Sequence, residues 1–218
     1  DTKDMIIGGD ALPFTHGAPA PQGNYGNLRT KGWEVSVTYN HRFKNGLGIS
    51  ALATVWDNVT HITKGADYMV PWEDRSLATS YSTGSRYGDI WGYVTDRLYQ
   101  EGDFVRGDDG KFKKVTIIMN GSPKQSYMLA GENPVYQTWL EDGLGTVIFR
   151  PGDVKFVDLN GDGYITPGRG TYGDPGDRKV IGNSTPRYEY GFRLGLDYKG
   201  FDASVFLQGV GKRKIWGA

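Results

Sequence analysis

One stretch of the chain, residues 158–165, carries closely spaced oxygen side chains that could hold a metal ion. Its sequence, DLNGDGYI, places oxygens at the first, third and fifth positions and a glycine at the sixth. That spacing matches the start of a calcium-binding EF-hand loop. The predicted ligands are the side chains of Asp158, Asn160 and Asp162 and the backbone carbonyl of Tyr164. The pattern predicts one structural Ca²⁺, or a similar hard cation such as Mg²⁺, and no organic cofactor.

The second half of this loop departs from the calcium-binding pattern. Its twelfth position, where a bidentate acid belongs, is Arg169. Asp174 or Asp177 could supply the missing carboxylate if residues 166–176 (TPGRGTYGDPG) form an inserted bulge. The alternative is a turn rich in Asp and Asn that is stabilised by hydrogen bonds to its own backbone. On the calcium interpretation, Ile165 anchors the loop in a core.

Residues 81–100 combine aromatic side chains with glycine and polar residues and show no sustained period. Exposed aromatic rings beside amides and carboxylates could stack on sugar rings or hold a peptide. The alternative is that these rings only pack a long loop against itself. The predicted substrate-binding residues are Tyr81, Tyr87, Trp91 and Tyr93.

The acidic residues give little support for catalysis. They cluster as cation ligands would, and nothing marks one of them as a general acid held neutral in an apolar pocket. The three histidines are scattered and the chain has no cysteine, so no nucleophile–base spacing stands out. The sequence therefore predicts a protein that is not an enzyme. The residues weighed are Asp153, Asp158, Asp162, Asp177, His16, His41 and His61.

A β-hairpin near the end of the chain gives the clearest structural pattern. Residues 188–198 alternate between apolar and polar side chains, which only a β-strand separates onto two faces. Folding back at Lys199-Gly200 places residues 201–210 alongside, with Tyr198 opposite Phe201 and like residues paired on each face. Only Phe206 breaks this pattern. Strands of this length suit a membrane span, which needs about 9–11 residues. The alternative is a long hairpin of a soluble sandwich, with its apolar face packed on a core.

A second hairpin is predicted earlier in the chain. Alternation over residues 33–40 is followed by Asn45-Gly46, a strong hairpin turn, and by a less regular return strand over residues 48–56. In outer-membrane barrels, short turns lie on the periplasmic side. If both turns are periplasmic, the middle of the chain becomes extracellular surface.

These patterns divide the chain into five parts and predict an all-β fold, namely a partial transmembrane β-barrel of antiparallel strands with long irregular extracellular loops. Within the third part we also expect a helical turn over residues 96–100, a turn at residues 108–110 and a short strand over residues 115–119. The parts are a loop (1–28), a barrel hairpin (29–56), a long extracellular region (57–187) that includes the carboxylate loop (153–178), a second barrel hairpin (188–210) and the start of the next loop (211–218).

Composition narrows the class of protein further. Basic and acidic side chains both number 25, so no basic field favours nucleic acid as a partner. The mean hydropathy is −0.51 and no apolar run is long enough for a membrane helix. Alternating barrel strands give such values, because half of their residues face away from lipid.

Several blocks of the chain resemble the SusC/RagA family of TonB-dependent outer-membrane receptors. The strongest are PGDVKFVDLNGDGYIT (151–166) and GDRKVIGNSTPRYEYGFRLGLDYKGFDASVFLQGVGKR (176–213). Further similar blocks precede them in the same order. These are NLRTKGWEVSVTYN (27–40), GLGISALATVWDNVTHITK (46–64) and RYGDIWGYVTDRLYQ (86–100).

The resemblance implies a large barrel with an N-terminal plug in the outer membrane of a Gram-negative, Bacteroidetes-like cell. Such receptors import oligosaccharides or peptides with energy from TonB, and a SusD-like lipoprotein usually caps them. By resemblance, Asp177 rather than Asp174 is the distal ligand of the carboxylate loop. Because no plug, TonB-contacting segment or set of final strands is recognisable, the chain is expected to be an internal piece of such a receptor. Its four recognisable barrel strands cannot close a barrel. The alternative is a soluble extracellular β-domain, stabilised by calcium, that binds glycans.

Overall fold

A computed structural model describes residues 1–8, 22–67, 69–71, 77–119, 121–137 and 148–215. The fold is all-β and antiparallel, as predicted, and its described part forms two compact units. The first unit comprises Asp1–Ala66, Tyr81–Asp89 and Gly182–Ala218, and the second comprises Asp67–Ser80 and Ile90–Ile181. Within the described ranges, no helix has the length and apolar character needed to cross a membrane.

The first unit is built on an open five-stranded sheet in the order β1-β2-β3-β12-β13. Every neighbouring pair in this sheet is antiparallel. The strands are β1 (Thr2–Gly8), β2 (Gln22–Arg42), β3 (Gly48–Lys64), β12 (Arg187–Tyr198) and β13 (Phe201–Lys212).

The register predicted for the hairpin over residues 188–210 is confirmed. Tyr198 lies opposite Phe201, Leu194 opposite Val205, and the pairing continues to Arg187 and Lys212. Lys199 and Gly200 form the turn with φ angles of +47° and +87°, the left-handed conformation that a two-residue hairpin turn needs. The turn predicted at Asn45-Gly46 is also present, with the Gly46 N–H donating to the Phe43 carbonyl at 3.0 Å. These two turns lie at one end of the sheet, which we call the turn end, and the opposite end is the far end.

The prediction that residues 1–28 form an irregular loop is wrong for the described part of that range. Strand β1 pairs with the beginning of β2, from Thr2 opposite Leu28 to Gly8 opposite Gln22. The glycines and asparagines of this stretch suggested a loop, but cross-strand pairing decides β structure more strongly than local composition does. The first barrel strand therefore begins at Gln22 rather than 29. Residues 9–21, which also fall in the predicted loop, lie outside the described residues.

Two other strands continue past their predicted ends. Strand β3 extends to Lys64 instead of ending at 56, and β13 extends to Lys212 instead of 210. Residues Asn27 to Arg42 of β2 pair along the whole of β3, so backbone hydrogen bonds continue where the side-chain alternation weakens. The boundary drawn at 57 therefore falls inside a strand.

The second unit contains short strands and connecting loops. Its strands fall into a four-stranded sheet of order β11-β6-β5-β4 and the pairs β10-β7 and β8-β9. The predicted strand over residues 115–119 is confirmed as part of β8. The strands are β4 (Met69–Pro71), β5 (Leu77–Ser80), β6 (Asp89–Tyr93), β7 (Thr95–Leu98), β8 (Lys114–Met119), β9 (Ser122–Tyr127), β10 (Val154–Phe156) and β11 (Arg178–Asn183).

The helical turn predicted over residues 96–100 is wrong. Most of that stretch lies in β7, which pairs with β10, a strand more than 50 residues away in the chain. A single 3₁₀ turn follows at Glu101–Asp103, where the Asp103 carboxylate accepts the Gln100 N–H at 2.7 Å. The turn predicted at residues 108–110 is present, with Gly110 at φ +73°.

Candidate functional site

One face of the first unit's sheet is apolar and exposed across four strands. Directly opposite residues of antiparallel strands share a face. Tyr39, Ala51, Leu194 and Val205 therefore form one row across the sheet, and Val37, Ala53, Phe192 and Leu207 form the next. Among these side chains Val37 is 60% exposed and Leu207 57% exposed. We call this surface the apolar face.

Aromatic side chains border the apolar face at both ends. At the turn end lie Phe43, Tyr198 and Phe201, the last 83% exposed, and at the far end lie Trp33, Tyr188 and Tyr190. The Tyr190 ring lies over Gly209 on the neighbouring strand, where a side chain would collide with it. The rows between the two aromatic borders are mainly aliphatic, with Tyr39 and Phe192 among them. This layout matches the lipid-facing band of a membrane barrel, in which aromatic girdles flank an apolar belt.

The opposite face of the same sheet is mainly polar. Its rows at the turn end carry Asn40, Ser50 and Ser204, followed by the ion pair of Arg42 and Asp197. Arg42 Nη2 donates to Asp197 Oδ1 at 2.8 Å. The sheet is therefore apolar on one side and polar on the other.

The carboxylate loop forms a compact turn in which backbone N–H groups approach its acidic side chains. Asp158 accepts the N–H groups of Gly161 at 2.6 Å and Gly163 at 2.9 Å through its two oxygens. Asp162 accepts the Tyr164 N–H at 2.8 Å, and its other oxygen accepts Asn160 Nδ2 at 3.0 Å. These are the hydrogen bonds expected of the alternative, an Asp-rich and Asn-rich turn stabilised by its own backbone.

Asp177 is fully buried at the base of this loop and joins its two ends. One oxygen accepts the Leu159 N–H at 2.9 Å and the other accepts the Thr166 N–H at 2.7 Å. Burial raises the pKa of Asp177, while these N–H groups act in the opposite direction. Ile165 is likewise fully buried, as predicted for the residue that anchors the loop.

The described structure does not bring three acidic side chains of this loop around one point. Across the described parts of the chain, no three His, Cys, Asp or Glu side chains surround a common point where a metal ion could bind. Both oxygens of Asp177 are engaged by backbone N–H groups, and Asp174 lies instead 3.7 Å from Arg169 Nε. Asp177 as the ligand that closes a metal site stays a prediction. Calcium binding by Asp158, Asn160, Asp162 and the Tyr164 carbonyl stays a prediction.

The four predicted substrate-binding aromatics divide into two groups. Tyr81 and Tyr87, both in the first unit, are 40% and 49% exposed, and their ring centroids lie 6.4 Å apart at an angle of 44°. Trp91 and Tyr93, both in the second unit, are buried at 9% and 6% exposed. The Trp91 ring packs edge-on against Tyr172 and the Tyr93 ring against Phe156. Trp91 and Tyr93 therefore follow the packing alternative, and of the four only Tyr81 and Tyr87 have exposed rings. Substrate binding by these two residues stays a prediction.

Comparison with known proteins identifies a relative over nearly the whole chain. The chain is 24% identical over 221 residues to TonB-dependent receptor P3 of Formosa agariphila, covering 95% of this chain. The chain resembles a segment of a TonB-dependent receptor. This finding confirms the resemblance predicted from the sequence at the level of TonB-dependent receptors. The chain spans 17% of the length of that relative.

Other comparisons add less. No family model matches the chain. The RagAB peptide importer in its closed-closed state gives a TM-score of 0.45 at 14% identity, covering 95% of this chain and 18% of the importer chain. A second structure of the RagAB peptide transporter gives a TM-score of 0.42 at 14% identity, covering 94% of this chain and 17% of that chain.

The sequence analysis did not predict two ion pairs of this segment, which resembles a TonB-dependent receptor. Asp57 and Arg187 pair across 130 residues, and Arg97 pairs with Asp103 at 2.5 Å. The first pair had no local signal, because only the pairing of β3 with β12 brings those residues together. The second pair had a local signal, because Asp103 follows Arg97 by six residues and ends the 3₁₀ turn Glu101–Asp103.

Proposed function

We propose that this chain forms part of the wall of a SusC/RagA-type TonB-dependent receptor that imports nutrients across the outer membrane. The observation that carries the proposal is the apolar face, which is continuous over four strands and exposed. A monomeric soluble domain rarely exposes so large an apolar surface. Lipid is the natural environment for it.

The dimensions of the apolar face agree with a bilayer. Trp33 on β2 and Phe43 directly after β2 border it on one side, and Tyr188 and Tyr198 border it on β12, in each case ten residues apart. Ten residues of β-strand span about 33 Å at about 3.3 Å per residue. Tilted by about 40°, as barrel strands are, this becomes about 25 Å, which is the height of the apolar band of outer-membrane barrels.

The function proposed for the whole receptor follows from the resemblance and from the curated relative. In this proposal the whole receptor takes up oligosaccharides or peptides through the barrel. TonB passes energy to a plug, and a SusD-like lipoprotein lies at the cell surface. We place both hairpin turns in the periplasm, as short turns are in outer-membrane barrels. The turn end then faces the periplasm and the segment between β3 and β12 faces the cell exterior. The exposed pair of Tyr81 and Tyr87 then lies on the side from which substrate arrives. No residue of the chain is assigned a catalytic role.

Fractionation of the source cells tests the proposal. An antibody against this sequence should detect a protein far larger than 24.1 kDa in the outer membrane. A cysteine-specific reagent that cannot cross the membrane should label intact cells when Cys replaces Asp109, and should not when it replaces Asn45. A soluble species of 24.1 kDa would contradict the proposal and would favour the soluble glycan-binding domain.

A further inference from the structure

A buried ion pair lies at the far end of the sheet. Arg187 donates through Nε to Asp57 Oδ1 and through Nη2 to Asp57 Oδ2, the latter at 2.5 Å. The Asp57 side chain is 6% exposed and that of Arg187 is 19% exposed. A two-pronged contact between a planar guanidinium and a carboxylate fixes orientation as well as distance. The pair therefore holds the end of β12 against β3 in one geometry.

The backbone beside this pair adopts a conformation that few side chains tolerate. Tyr188 has φ +54°, in the left-handed region, although it is neither glycine nor asparagine. Its N–H donates to Asp57 Oδ1 at 3.3 Å, and its ring lies 5.2 Å from the guanidinium carbon of Arg187. Such a backbone persists only where surrounding contacts hold it in place. Here the contacts are those made with Asp57 and Arg187.

Two further segments meet at the far end of the first unit's sheet. Segment 81–89 binds the end of β3, because the Ile62 N–H donates to Ser85 at 3.0 Å and the Tyr87 N–H donates to Thr60 at 2.9 Å. Residues 183–185, which lead into β12, bind that segment in turn. The contacts are Ser184 N–H to the Gly88 carbonyl at 2.8 Å, and Asn183 Nδ2 to Asp89 Oδ1 at 2.8 Å and to the Tyr87 carbonyl at 3.1 Å.

We propose that the Asp57–Arg187 pair is a latch that positions segment 81–89, and with it the exposed rings of Tyr81 and Tyr87. Arg187 fixes where the chain leaves residues 183–185 and enters β12. Those residues hold the Tyr87 backbone through Asn183 and Thr185, whose hydroxyl donates to the Tyr87 carbonyl at 3.2 Å. Asp57 and Arg187 are thus positioning residues for the two rings. The inference goes beyond the proposed function, since it holds whatever ligand the rings contact.

Amide hydrogen exchange on the full-length receptor in detergent tests the latch. In Arg187→Gln, the far-end amides of Ile62, Gly84 and Tyr87 should exchange at least about tenfold faster, because a buried carboxylate loses its partner. The turn-end amides of Phe43 and Gly46 should keep their rates. The control is Arg193→Gln, on the same strand, because Arg193 makes no ion pair within the described part of the chain. This control should change neither set.

A second variant keeps the test decisive if Arg187→Gln does not fold. The double variant Asp57→Asn/Arg187→Gln removes both charges and leaves neither one unpaired in a buried position. It should fold and still show faster exchange at the far end only. Wild-type exchange at Ile62, Gly84 and Tyr87 in a folded variant would overturn the latch, as would equal acceleration at both ends. Neither result would bear on whether the receptor resides in the outer membrane.

Discussion

The substitution Leu194→Arg tests the orientation of the apolar face. Leu194 lies in the row of Tyr39, Ala51 and Val205, about four residues from the turn-end border of the face and six from the far-end border. At about 3.3 Å per residue these are about 13 Å and 20 Å along the strand, so the residue lies near the middle of the proposed membrane band. An arginine on the lipid side costs about 2–4 kcal/mol at the bilayer midplane.

Two matched substitutions calibrate this cost. Ser204→Arg places the same charge on β13 but on the polar face, where we expect little change in the free energy of unfolding. Phe201→Arg places it on the apolar face at the turn-end border, where an arginine costs about 0–1 kcal/mol. The expected order of destabilisation is therefore Leu194→Arg first, with the other two well below it.

The assay is equilibrium unfolding of the full-length receptor by urea in lipid vesicles, followed by tryptophan fluorescence. Equal destabilisation by Leu194→Arg and Ser204→Arg would refute the assignment of the two faces. Equal destabilisation by Leu194→Arg and Phe201→Arg would refute the depth argument. In a membrane the cost of an arginine is larger at the midplane than at the border, whereas a packed protein core shows no such dependence on depth. A wild-type protein that stays dispersed and folded without lipid or detergent would refute the membrane assignment itself.

Four further outcomes are expected. Asp177→Ala should destabilise the carboxylate loop by about 2 kcal/mol or more even with a chelator present, because two backbone N–H groups lose their acceptor; amide exchange measures this. If calcium binds, Asp162→Asn should weaken the stabilisation that added calcium gives in thermal unfolding and change little in a chelator. The pKa of Asp103 is lowered to about 2 by hydrogen bonds from its arginine partner, so its stabilisation is present above about pH 4 and lost as the pH falls towards 2. Asp103→Asn should remove that dependence in acid unfolding, at a cost of about 1 kcal/mol because the arginine is partly exposed. Trp91→Ala should cost about 3–5 kcal/mol of stability, whereas Tyr87→Ala should leave unfolding nearly unchanged and weaken substrate uptake.

The parts of the fold that could be predicted from the sequence are those specified by local pattern. In the β12–β13 hairpin, the unbroken alternation of residues 188–198 and a Lys-Gly turn fix both the register and the two faces, and the structure has the same pairs. The turn between β2 and β3 could also be predicted from a local pattern, because Asn45-Gly46 is a strong hairpin signal. By contrast, β1 and the first residues of β2 form strands because they pair with each other, and no alternation in residues 2–28 announced that pairing.

The candidate sites were harder to predict because burial and long-range contacts decide them. Tyr87 and Trp91 lie four residues apart among similar neighbours, yet one ring is exposed and the other buried. The structure places Asp177 at the carboxylate loop, where its carboxylate accepts backbone N–H groups at both ends. Its role depends on the path of residues 166–176, which sequence spacing does not determine.

Fluorescence quenching along β13 tests the central claim most directly. Single cysteines at positions 202 to 208 of the full-length receptor, labelled with an environment-sensitive dye in vesicles, are exposed to lipids that carry a quencher on their acyl chains. The account predicts strong quenching at 203, 205 and 207 and weak quenching at 202, 204, 206 and 208. Quenching that is uniform or absent along the strand would contradict a sheet whose apolar face contacts lipid.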